Sequence, residues 1–304
     1  MTKFTNRQYI SAWYHATRPR VFTATYAPMG VAAAVAIQDG VFEILPFTLA
    51  LIGVLFLQTA ANLVNEYFDY VRGADKLKEA GQGMSIKRQE LSSREVLIGA
   101  IFTVLAGSLI GLYLLAQSGP LLWVLGIAGV LITITYTAGP FPLAYNGLGE
   151  IAVGIAMGPM IIVGAYYVMD TDIYPELILI SVPIAFMVAA ILHANNIRDM
   201  EADRAVNKNT LAIILGLRFA RVEYAFLVGG TYVALLLLII FGQVPPATLL
   251  AMVTIRQAYQ LIHTFYTQTD TQSLHRAQGL TAKLHGQFAL TMVVGWLLWL
   301  AIGG

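Results

Sequence analysis

The sequence contains no cysteine and has few charged residues. Only 12% of its 304 residues are Asp, Glu, Lys or Arg, about half of the ~25% typical of soluble domains. The absence of cysteine excludes a disulfide framework, zinc sites built on thiolates and a cysteine nucleophile. The formal net charge of +1 gives no indication of a nucleic-acid partner. So little charge is typical of a chain that lies mostly in lipid.

Long apolar segments occupy most of the chain, which is 58% hydrophobic with a mean hydropathy of +0.70. Segments of about 17–25 apolar residues can cross a bilayer as helices. Nine are predicted, at residues 21–38, 47–65, 96–116, 121–138, 150–169, 177–195, 223–242, 247–265 and 287–302. The predicted fold is therefore all-α, a polytopic bundle of about nine transmembrane helices around a central cavity. We expect one integral-membrane domain over residues 1–304, without a removable signal peptide.

The positive charges are distributed unequally between the two sides of these segments. With the exception of Arg256, every Lys and Arg falls on the side of the N-terminus, and the loops on the other side have none. The N-terminal segment and the loops on its side contain Lys3, Arg7, Arg18 and Arg20, then Arg72, Lys76, Lys78, Lys87, Arg88 and Arg94, then Arg198, Arg204, Lys208, Arg218 and Arg221, and finally Arg276 and Lys283. The positive-inside rule then predicts a multi-pass protein of the cell (cytoplasmic) membrane, with its N-terminus in the cytoplasm.

Two related polar motifs follow the second and sixth predicted segments. The first is NLVNEYFDYVRGAD (62–75) and the second is NNIRDMEADR (195–204). Both contain Asn-x-x-x-Asp, as Asn65…Asp69 and Asn195…Asp199, and the second continues to Asp203. Residues four apart lie on one face of a helix, which predicts a stripe in each motif. Four crossings separate the motifs, so both open on the cytoplasmic side.

Further polar residues extend these stripes. Asn62 shares the face of the first motif, whereas Asp75, beyond Gly73, requires the helix to end and a loop to place it. Carboxylate and amide oxygens are ligands that suit Mg²⁺, which commonly bridges to substrate phosphates. The nearby Arg72, Lys87, Arg88, Arg198 and Arg204 are candidates for neutralising phosphate. Acids and bases beneath an apolar cavity predict a polyprenyl diphosphate ligand.

Two other interpretations of these motifs stay open. The charged residues could be solvated helix ends with surface ion pairs. A membrane transporter of cations or lipids could also use acidic residues as an ion path, although such sites usually lie near the bilayer midplane. Among the positive charges, Arg94, Arg218 and Arg221 are assigned to orientation rather than to ligand binding.

The two motifs resemble those of the UbiA family of intramembrane prenyltransferases. The family's first motif, N-D-x-x-D followed by a further acid, is similar to NEYFDYVRGAD, where Glu66 stands in place of the usual Asp. Its second motif, D-x-x-x-D, is matched by Asp199 and Asp203 within NNIRDMEADRAVNKNTLAIILG. The stretches RPRVFTATYAPMG and YTAGPFPLAYNGLGE (136–150) also resemble family segments, and the similarity is greatest to the branch acting on 1,4-dihydroxy-2-naphthoate.

The resemblance implies a reaction and a set of site residues. The reaction is Mg²⁺-dependent transfer of a polyprenyl group to 1,4-dihydroxy-2-naphthoate with loss of CO₂ and diphosphate, giving demethylmenaquinol. Family members that use 4-hydroxybenzoate, homogentisate or haem are the alternatives. The implied metal–diphosphate ligands are Asn65, Asp69, Asp199 and Asp203, with Asp75 and Asn195 or Asn196 in support. The place of Glu66 in this set is left open.

The remaining candidates come from chemistry and position. An allylic cation needs shielding from water and can be stabilised by an aromatic face, which makes Tyr136 a candidate catalytic residue. Arg18 is a candidate for binding the diphosphate or the acceptor's carboxylate. His193 lies one turn before Asn196, where a structural role is the more common one for a lone histidine. GQGM at residues 81–84 lacks the Gly-Lys-Ser/Thr of a phosphate-binding loop.

Overall fold

The computed structural model describes residues 6–75 and 83–303. Every regular element in these ranges is helical, and an isolated parallel bridge joins Asn146 to Asn209. Lys3, Lys76 and Lys78, which entered the orientation argument, lie outside the described residues. The helices are α1 (Asn6–Thr17), α2 (Thr23–Gln38), α3 (Ile44–Val71), α4 (Ser93–Gln117), α5 (Leu121–Thr135), α6 (Gly149–Ile155), α7 (Ile161–Tyr167), α8 (Glu176–Arg198), α9 (Met200–Ala205), α10 (Leu211–Ile240), α11 (Ile255–Thr267) and α12 (Thr271–Ala301). Short 3₁₀ segments cover Pro19–Val21, Leu143–Tyr145 and Pro246–Thr254.

The predicted all-α membrane fold is confirmed, but the count of nine crossings is not. Within the described residues, six helical stretches are long and apolar enough to cross a bilayer: Ile44–Val71, Ser93–Gln117, Gly149–Tyr167, Glu176–Arg198, Leu211–Ile240 and Thr271–Ala301. The pair Asn6–Val21 and Thr23–Gln38, bent by 48°, makes a seventh if it is one span. The fourth predicted segment is a helix of only 15 residues, and the eighth is divided between a 3₁₀ segment and α11. Arg256 is exposed at the start of α11.

Helix α4 shows how the sequence separates a lipid-facing surface from a packing surface. Its outer face exposes large apolar side chains at helical spacing, whereas its inner face buries small residues. A Cβ atom added to Gly107 would lie 3.0 Å from the backbone oxygen of Gly53, so only glycine allows α3 and α4 to approach this closely. The exposed stripe consists of Ile98, Phe102, Leu105, Leu109 and Leu112.

The helix containing α6 and α7 is interrupted at its middle by a π-helical turn, Ala156–Met160. Pro159 lies inside this turn and cannot donate a backbone hydrogen bond, which favours the local change in helical geometry. Gly158 faces α8 there, because a Cβ atom at this position would lie 2.7 Å from the Cβ of Ala185. The interruption thus lets α6 and α7 pack closely on α8.

Helix α8 is the central element of the bundle. Within its most apolar 18-residue window, 67% of the residues are buried, the largest share among the six candidate spans. It packs against α6, α10 and α12, whereas α3 packs mainly against α4. Helices α3 and α8 line a common cavity, and the polar motifs at their C-terminal ends reach the same end of that cavity.

Candidate active site

A cavity of about 360 Å³ lies between α3, α4, α5, α6, α7 and α8, a volume within the range of about 300–1,000 Å³ typical of small-molecule sites. Much of its wall is apolar, with Leu57, Ile110, Leu125, Met157, Val188 and Ile191 among the lining residues. Its polar lining consists mainly of Arg18, Gln58, Asn62, Asn65, Asp69, Asp75, Tyr136, Asn195, Asn196, Arg198, Asp199 and Lys208. The two motifs therefore contribute to one cavity that combines a polar end with an apolar chamber.

The first motif brings Asn62, Asn65 and Asp69 to the cavity from α3 and Asp75 from the turn that follows this helix. Helix α3 ends at Val71, and Gly73 adopts a left-handed φ of 81°, which glycine tolerates without strain. The backbone N–H of Ala74 donates to the carbonyl oxygen of Asp69 at 2.8 Å. This turn brings Asp75, which is 4% exposed, back to the cavity.

The N-terminal segment is attached to the first motif by two side-chain hydrogen bonds. Arg18 donates through Nη2 to Asn65 Oδ1 at 3.0 Å, and Asn62 donates through Nδ2 to the backbone oxygen of Thr17 at 2.9 Å. Arg18 itself has a left-handed φ of 56°. Its guanidinium therefore lies beside the first motif, where an anion bound in the cavity would meet it.

The second motif keeps the predicted one-turn spacing, because the N–H of Asp199 donates to the Asn195 carbonyl oxygen at 3.1 Å and the N–H of Asp203 donates to that of Asp199 at 2.9 Å, although the helix assignment is interrupted at Asp199. Helix α8 ends at Arg198, α9 starts at Met200, and Asp199 between them has φ −96° and ψ 8°. Arg198 binds both carboxylate oxygens of Asp199, through Nε at 2.7 Å and Nη2 at 2.6 Å. This bidentate pair joins neighbouring residues at the point where the backbone departs from regular helical φ and ψ.

The two acids of the second motif differ in their access to the cavity. Asp199 lines the cavity with Asn195 and Asn196, whereas Asp203 is buried behind the cavity wall and does not line it. Arg198 also donates to Asn195 Oδ1 at 2.6 Å and lies 3.0 Å from Nδ1 of His275. The charged end of the cavity is thus fixed to α12 as well as to α8.

Lys208, which the sequence argument used only for orientation, connects the two motifs. Its Nζ lies 3.6 Å from Asp69 Oδ2 and 3.5 Å from Asp203 Oδ1, and the residue is 5% exposed. Burial lowers the pKa of Lys208, but attraction by Asp69 and Asp203 outweighs it and raises the pKa above its ordinary value, so the ammonium stays charged. No spacing rule in the sequence would have assigned this lysine to the site.

Tyr145 is a second site residue that sequence reasoning missed. Its hydroxyl donates to Asp69 Oδ1 at 2.8 Å, and its ring lies 5.3 Å from Lys208 Nζ and 4.7 Å from the guanidinium of Arg72. The backbone N–H of Asn209 donates to the carbonyl oxygen of Tyr145 at 3.1 Å, which joins its loop to the loop after the second motif. Its only sequence signal was its place in the family-like stretch 136–150.

The other basic candidates do not line the cavity. Arg72 donates to the backbone oxygens of Thr137 and Gly139 at 2.8 and 2.9 Å, so it holds the loop after α5. Lys87 and Arg204 are exposed. Arg88 is exposed beside a smaller pocket of about 200 Å³, whose lining includes His15, Arg18, Arg20 and His275.

Glu66 and His193 have structural contacts in this arrangement. Glu66 is fully buried, and its Oε1 accepts hydrogen bonds from the Ser85 hydroxyl and from the Ile86 N–H at 3.0 Å. It therefore holds the turn after the first motif and does not line the cavity. His193 lies 2.8 Å from Glu150 Oε1 through Nδ1 and 2.8 Å from the Ala220 carbonyl oxygen through Nε2.

Glu150 connects this buried histidine to the second motif. Asn196 donates through Nδ2 to Glu150 Oε1 at 2.9 Å, which fixes the amide that lines the cavity. Tyr136 is the C-cap of α5 and lines the same cavity. It lies near the start of α6, since a Cβ atom on Gly149 would lie 3.5 Å from the hydroxyl oxygen of Tyr136. Tyr136 is therefore an aromatic candidate that the structure brings to the cavity wall.

The donor set fits a hard divalent cation that is bound together with a phosphate. Over residues 6–75 and 83–303, no three His, Asp or Glu side chains lie close enough to hold a metal by themselves. Asp69, Asp199 and Asn65 nevertheless all line one end of the cavity. Mg²⁺ is usually held by one or two carboxylates while substrate phosphates and waters complete its shell, and this arrangement suits such a site.

Comparison with known proteins gives a family and named relatives. The sequence profile described as the UbiA prenyltransferase family matches residues 26–285. The chain is 31% identical over 282 residues to 1,4-dihydroxy-2-naphthoate octaprenyltransferase of Bacillus subtilis, covering 93% of this chain and 91% of that protein. It is 34% identical over 237 residues to the Escherichia coli protein of the same name, covering 76% and 77%. UbiA prenyltransferase domain-containing protein 1 of Homo sapiens is 29% identical over 299 residues, covering 96% and 85%.

Solved structures share the fold at low sequence identity. The apo structure of a UbiA homolog from Aeropyrum pernix K1 matches with a TM-score of 0.69 at 14% identity, covering 92% of this chain and 98% of that chain. A UbiA homolog from Archaeoglobus fulgidus bound to DMAPP and Mg²⁺ matches with a TM-score of 0.64 at 15% identity, covering 93% and 99%. With the family profile matching residues 26–285, this chain belongs to the UbiA prenyltransferase family.

Proposed function

We propose that this chain transfers a polyprenyl group from polyprenyl diphosphate to 1,4-dihydroxy-2-naphthoate, releasing CO₂ and diphosphate and giving demethylmenaquinol. The observation that carries the proposal is the shared cavity, in which Asn65, Asp69, Asn195 and Asp199 lie at the polar end of an apolar chamber. The names of the Bacillus subtilis and Escherichia coli relatives support the naphthoate as acceptor. The Archaeoglobus fulgidus homolog bound to DMAPP and Mg²⁺ supports Mg²⁺ as the cofactor.

The polar end binds the diphosphate and favours its departure. Asn65, Asp69 and Asp199 would hold Mg²⁺, with Asp75 nearby, and the bound ion would neutralise charge on the diphosphate as it leaves. Arg18 and Arg198 line the same region and are placed to attract the phosphate oxygens directly. These fixed positive groups stabilise the charge that develops on the leaving oxygen as the allylic C–O bond breaks.

The apolar chamber protects the allylic cation until the acceptor attacks. Walls formed by Leu57, Ile110 and Met157 exclude water from the prenyl chain. Tyr136 lies where its aromatic ring can stabilise the cation. The electron-rich ring carbon that carries the carboxylate forms the new C–C bond. Loss of that carboxylate as CO₂ returns an electron pair to the ring and restores its aromaticity, so this step needs no protein base.

The same proposal places the protein in the cytoplasmic membrane with the polar end of the cavity on the cytoplasmic side. Six apolar helical stretches in the described ranges make it an integral membrane protein. The side assignment is supported by the positive charges, since Arg18, Arg72, Arg88, Arg198 and Lys208 all lie near this end. A cytoplasmic opening would give a soluble aromatic acid access from the cytosol.

The test is an acceptor assay with the purified protein in lipid nanodiscs. A labelled polyprenyl diphosphate is offered with 1,4-dihydroxy-2-naphthoate, 4-hydroxybenzoate or homogentisate, in Mg²⁺ or in EDTA. We expect product from the naphthoate only, and only with Mg²⁺. Asp199→Asn should lower the rate at least about 100-fold, because it removes a charged ligand of the Mg²⁺ that would neutralise the leaving diphosphate.

The control is Asp172→Asn, an exposed acid on the opposite side of the predicted topology, which should keep the wild-type rate. Product from 4-hydroxybenzoate alone would refute the acceptor. An unchanged rate in folded Asp199→Asn protein would refute the role of this aspartate.

A further inference from the structure

Both carboxylate oxygens of Asp69 are occupied by groups of the chain. Oδ1 accepts the Tyr145 hydroxyl at 2.8 Å, and Oδ2 lies 3.6 Å from Lys208 Nζ. The same ammonium lies 3.5 Å from Asp203 Oδ1. A divalent cation that binds Asp69 must therefore share or replace contacts that the chain itself already makes.

Positive side chains of the chain already pair with the acids of this region. Asp199 forms its bidentate pair with Arg198, while Asp69 and Asp203 are bridged by Lys208. Lys208 is 5% exposed, and a buried ammonium is stable only when it is paired. A metal ion arriving alone would add positive charge beside Lys208 and Arg198, whereas a metal ion arriving with diphosphate would not.

We propose that Lys208 is an internal cation that competes with the divalent metal for Asp69 and thereby makes tight metal binding depend on the diphosphate. The inference deepens the proposed function by assigning a role to a residue outside the two motifs. When diphosphate is present, its negative charges accommodate both the metal and Lys208. Lys208 then lies where it can contact the leaving diphosphate, so it is also a positioning residue for that group.

The experiment measures Mn²⁺ binding by electron paramagnetic resonance, with inorganic diphosphate as the second ligand. Wild-type protein, Lys208→Met, Lys208→Arg and Lys208→Gln are compared in nanodiscs, without prenyl donor or aromatic acceptor. We expect Lys208→Met to bind Mn²⁺ about tenfold more tightly than the wild type in the absence of diphosphate, because a competing charge is gone. In the wild type, diphosphate should tighten Mn²⁺ binding by about 100-fold, and in Lys208→Met by about tenfold or less.

The other variants keep the outcome interpretable. Lys208→Arg preserves the charge and should retain most of the coupling between Mn²⁺ and diphosphate. Lys208→Gln gives a second neutral side chain if the Met variant is unstable. Lys283→Met removes an exposed lysine on α12 and should leave both affinities unchanged.

Two results would overturn the inference. One is Mn²⁺ affinity in folded Lys208→Met or Lys208→Gln that is equal to or weaker than that of the wild type without diphosphate. The other is unchanged coupling between Mn²⁺ and diphosphate in both neutral variants. Neither measurement involves an aromatic acceptor, so failure of the naphthoate assay and failure of this inference are separate results.

Discussion

Tyr145 contacts Asp69 and Lys208, which line the cavity, and Arg72, which does not. Its hydroxyl donates to Asp69, and its ring lies beside Lys208 and Arg72. Tyr145→Phe keeps the ring and removes only the hydrogen bond. A hydrogen bond to a charged group contributes about 1.5 kcal/mol, so kcat/KM for the prenyl diphosphate should fall about tenfold. Tyr145→Leu should cost more, since it also removes the aromatic face from both cations.

Tyr232 supplies the matched control for this measurement. Its hydroxyl lies 2.7 Å from the Thr254 hydroxyl, and it is 4% exposed, but it does not line the cavity. Tyr232→Phe should lower the free energy of unfolding by about 1 kcal/mol and leave the kinetic constants unchanged. Equal kinetic losses in Tyr145→Phe and Tyr232→Phe would indicate a general effect on packing and contradict the site role of Tyr145.

At the scale of single residues, the sequence finds the motif acids that line the cavity more readily than it finds the residues that contact them. Asp69 and Asp199 could be found because they recur in two motifs with matched spacing. Lys208 and Tyr145 could not, since they reach Asp69 only through the packing of two loops that are far apart in sequence. Arg72 lies beside the first motif in sequence, yet it donates to backbone carbonyls of the loop after α5.

At the scale of helices, hydropathy locates the apolar segments but not their interruptions. All nine predicted segments fall on helical structure, while the 3₁₀ segment Pro246–Thr254 and the π turn Ala156–Met160 are invisible to a hydropathy window. The interruption at Asp199 is invisible to such a window as well, since it consists of a change in the φ and ψ of one residue. Helix periodicity still predicts the one-turn spacing of the second motif, because the i→i−4 hydrogen bonds continue through Asp199.

Helix α5 offers a test of how the chamber selects prenyl chain length. Gly126 lines the cavity, and a Cβ atom added there would meet no other atom within 4 Å. Gly126→Leu should therefore fold normally and project an isobutyl group into the chamber. We expect activity with an eight-unit prenyl diphosphate to fall at least about tenfold, while a two-unit donor keeps most of its activity, since one leucine occupies volume that several prenyl carbons need.

Gly229→Leu is the control for the substitution itself. Gly229 is also helical, and a Cβ atom added to it would likewise meet open space, but it lies on α10 and does not line the cavity. Both variants replace a helical glycine with a better helix former. Equal losses with long and short donors in Gly126→Leu would contradict a role for this position in chain length.

At the scale of the whole molecule, the site and the positive charges belong to the same end of the bundle. Arg18, Arg198 and Lys208 line the polar end of the cavity, so these charges serve the site as well as orientation. The positive-inside rule counts charge without regard to its partners. A functional requirement for cations at the diphosphate would produce the same unequal distribution of Lys and Arg between the two sides of the membrane. The orientation of the protein in the membrane is therefore tested by a direct measurement.

The absence of cysteine makes that measurement direct, because a single introduced cysteine is the only thiol in the protein. Gln272→Cys places a thiol at the start of α12, one turn before His275, which contacts Arg198 at the polar end of the cavity. Asp172→Cys places a thiol in the connection between α7 and α8. Both positions are exposed. With a membrane-impermeant maleimide, we expect Gln272→Cys to react in inverted vesicles and Asp172→Cys to react in intact spheroplasts. The reverse pattern would place the cavity mouth outside the cell, where a cytosolic acceptor could not reach it.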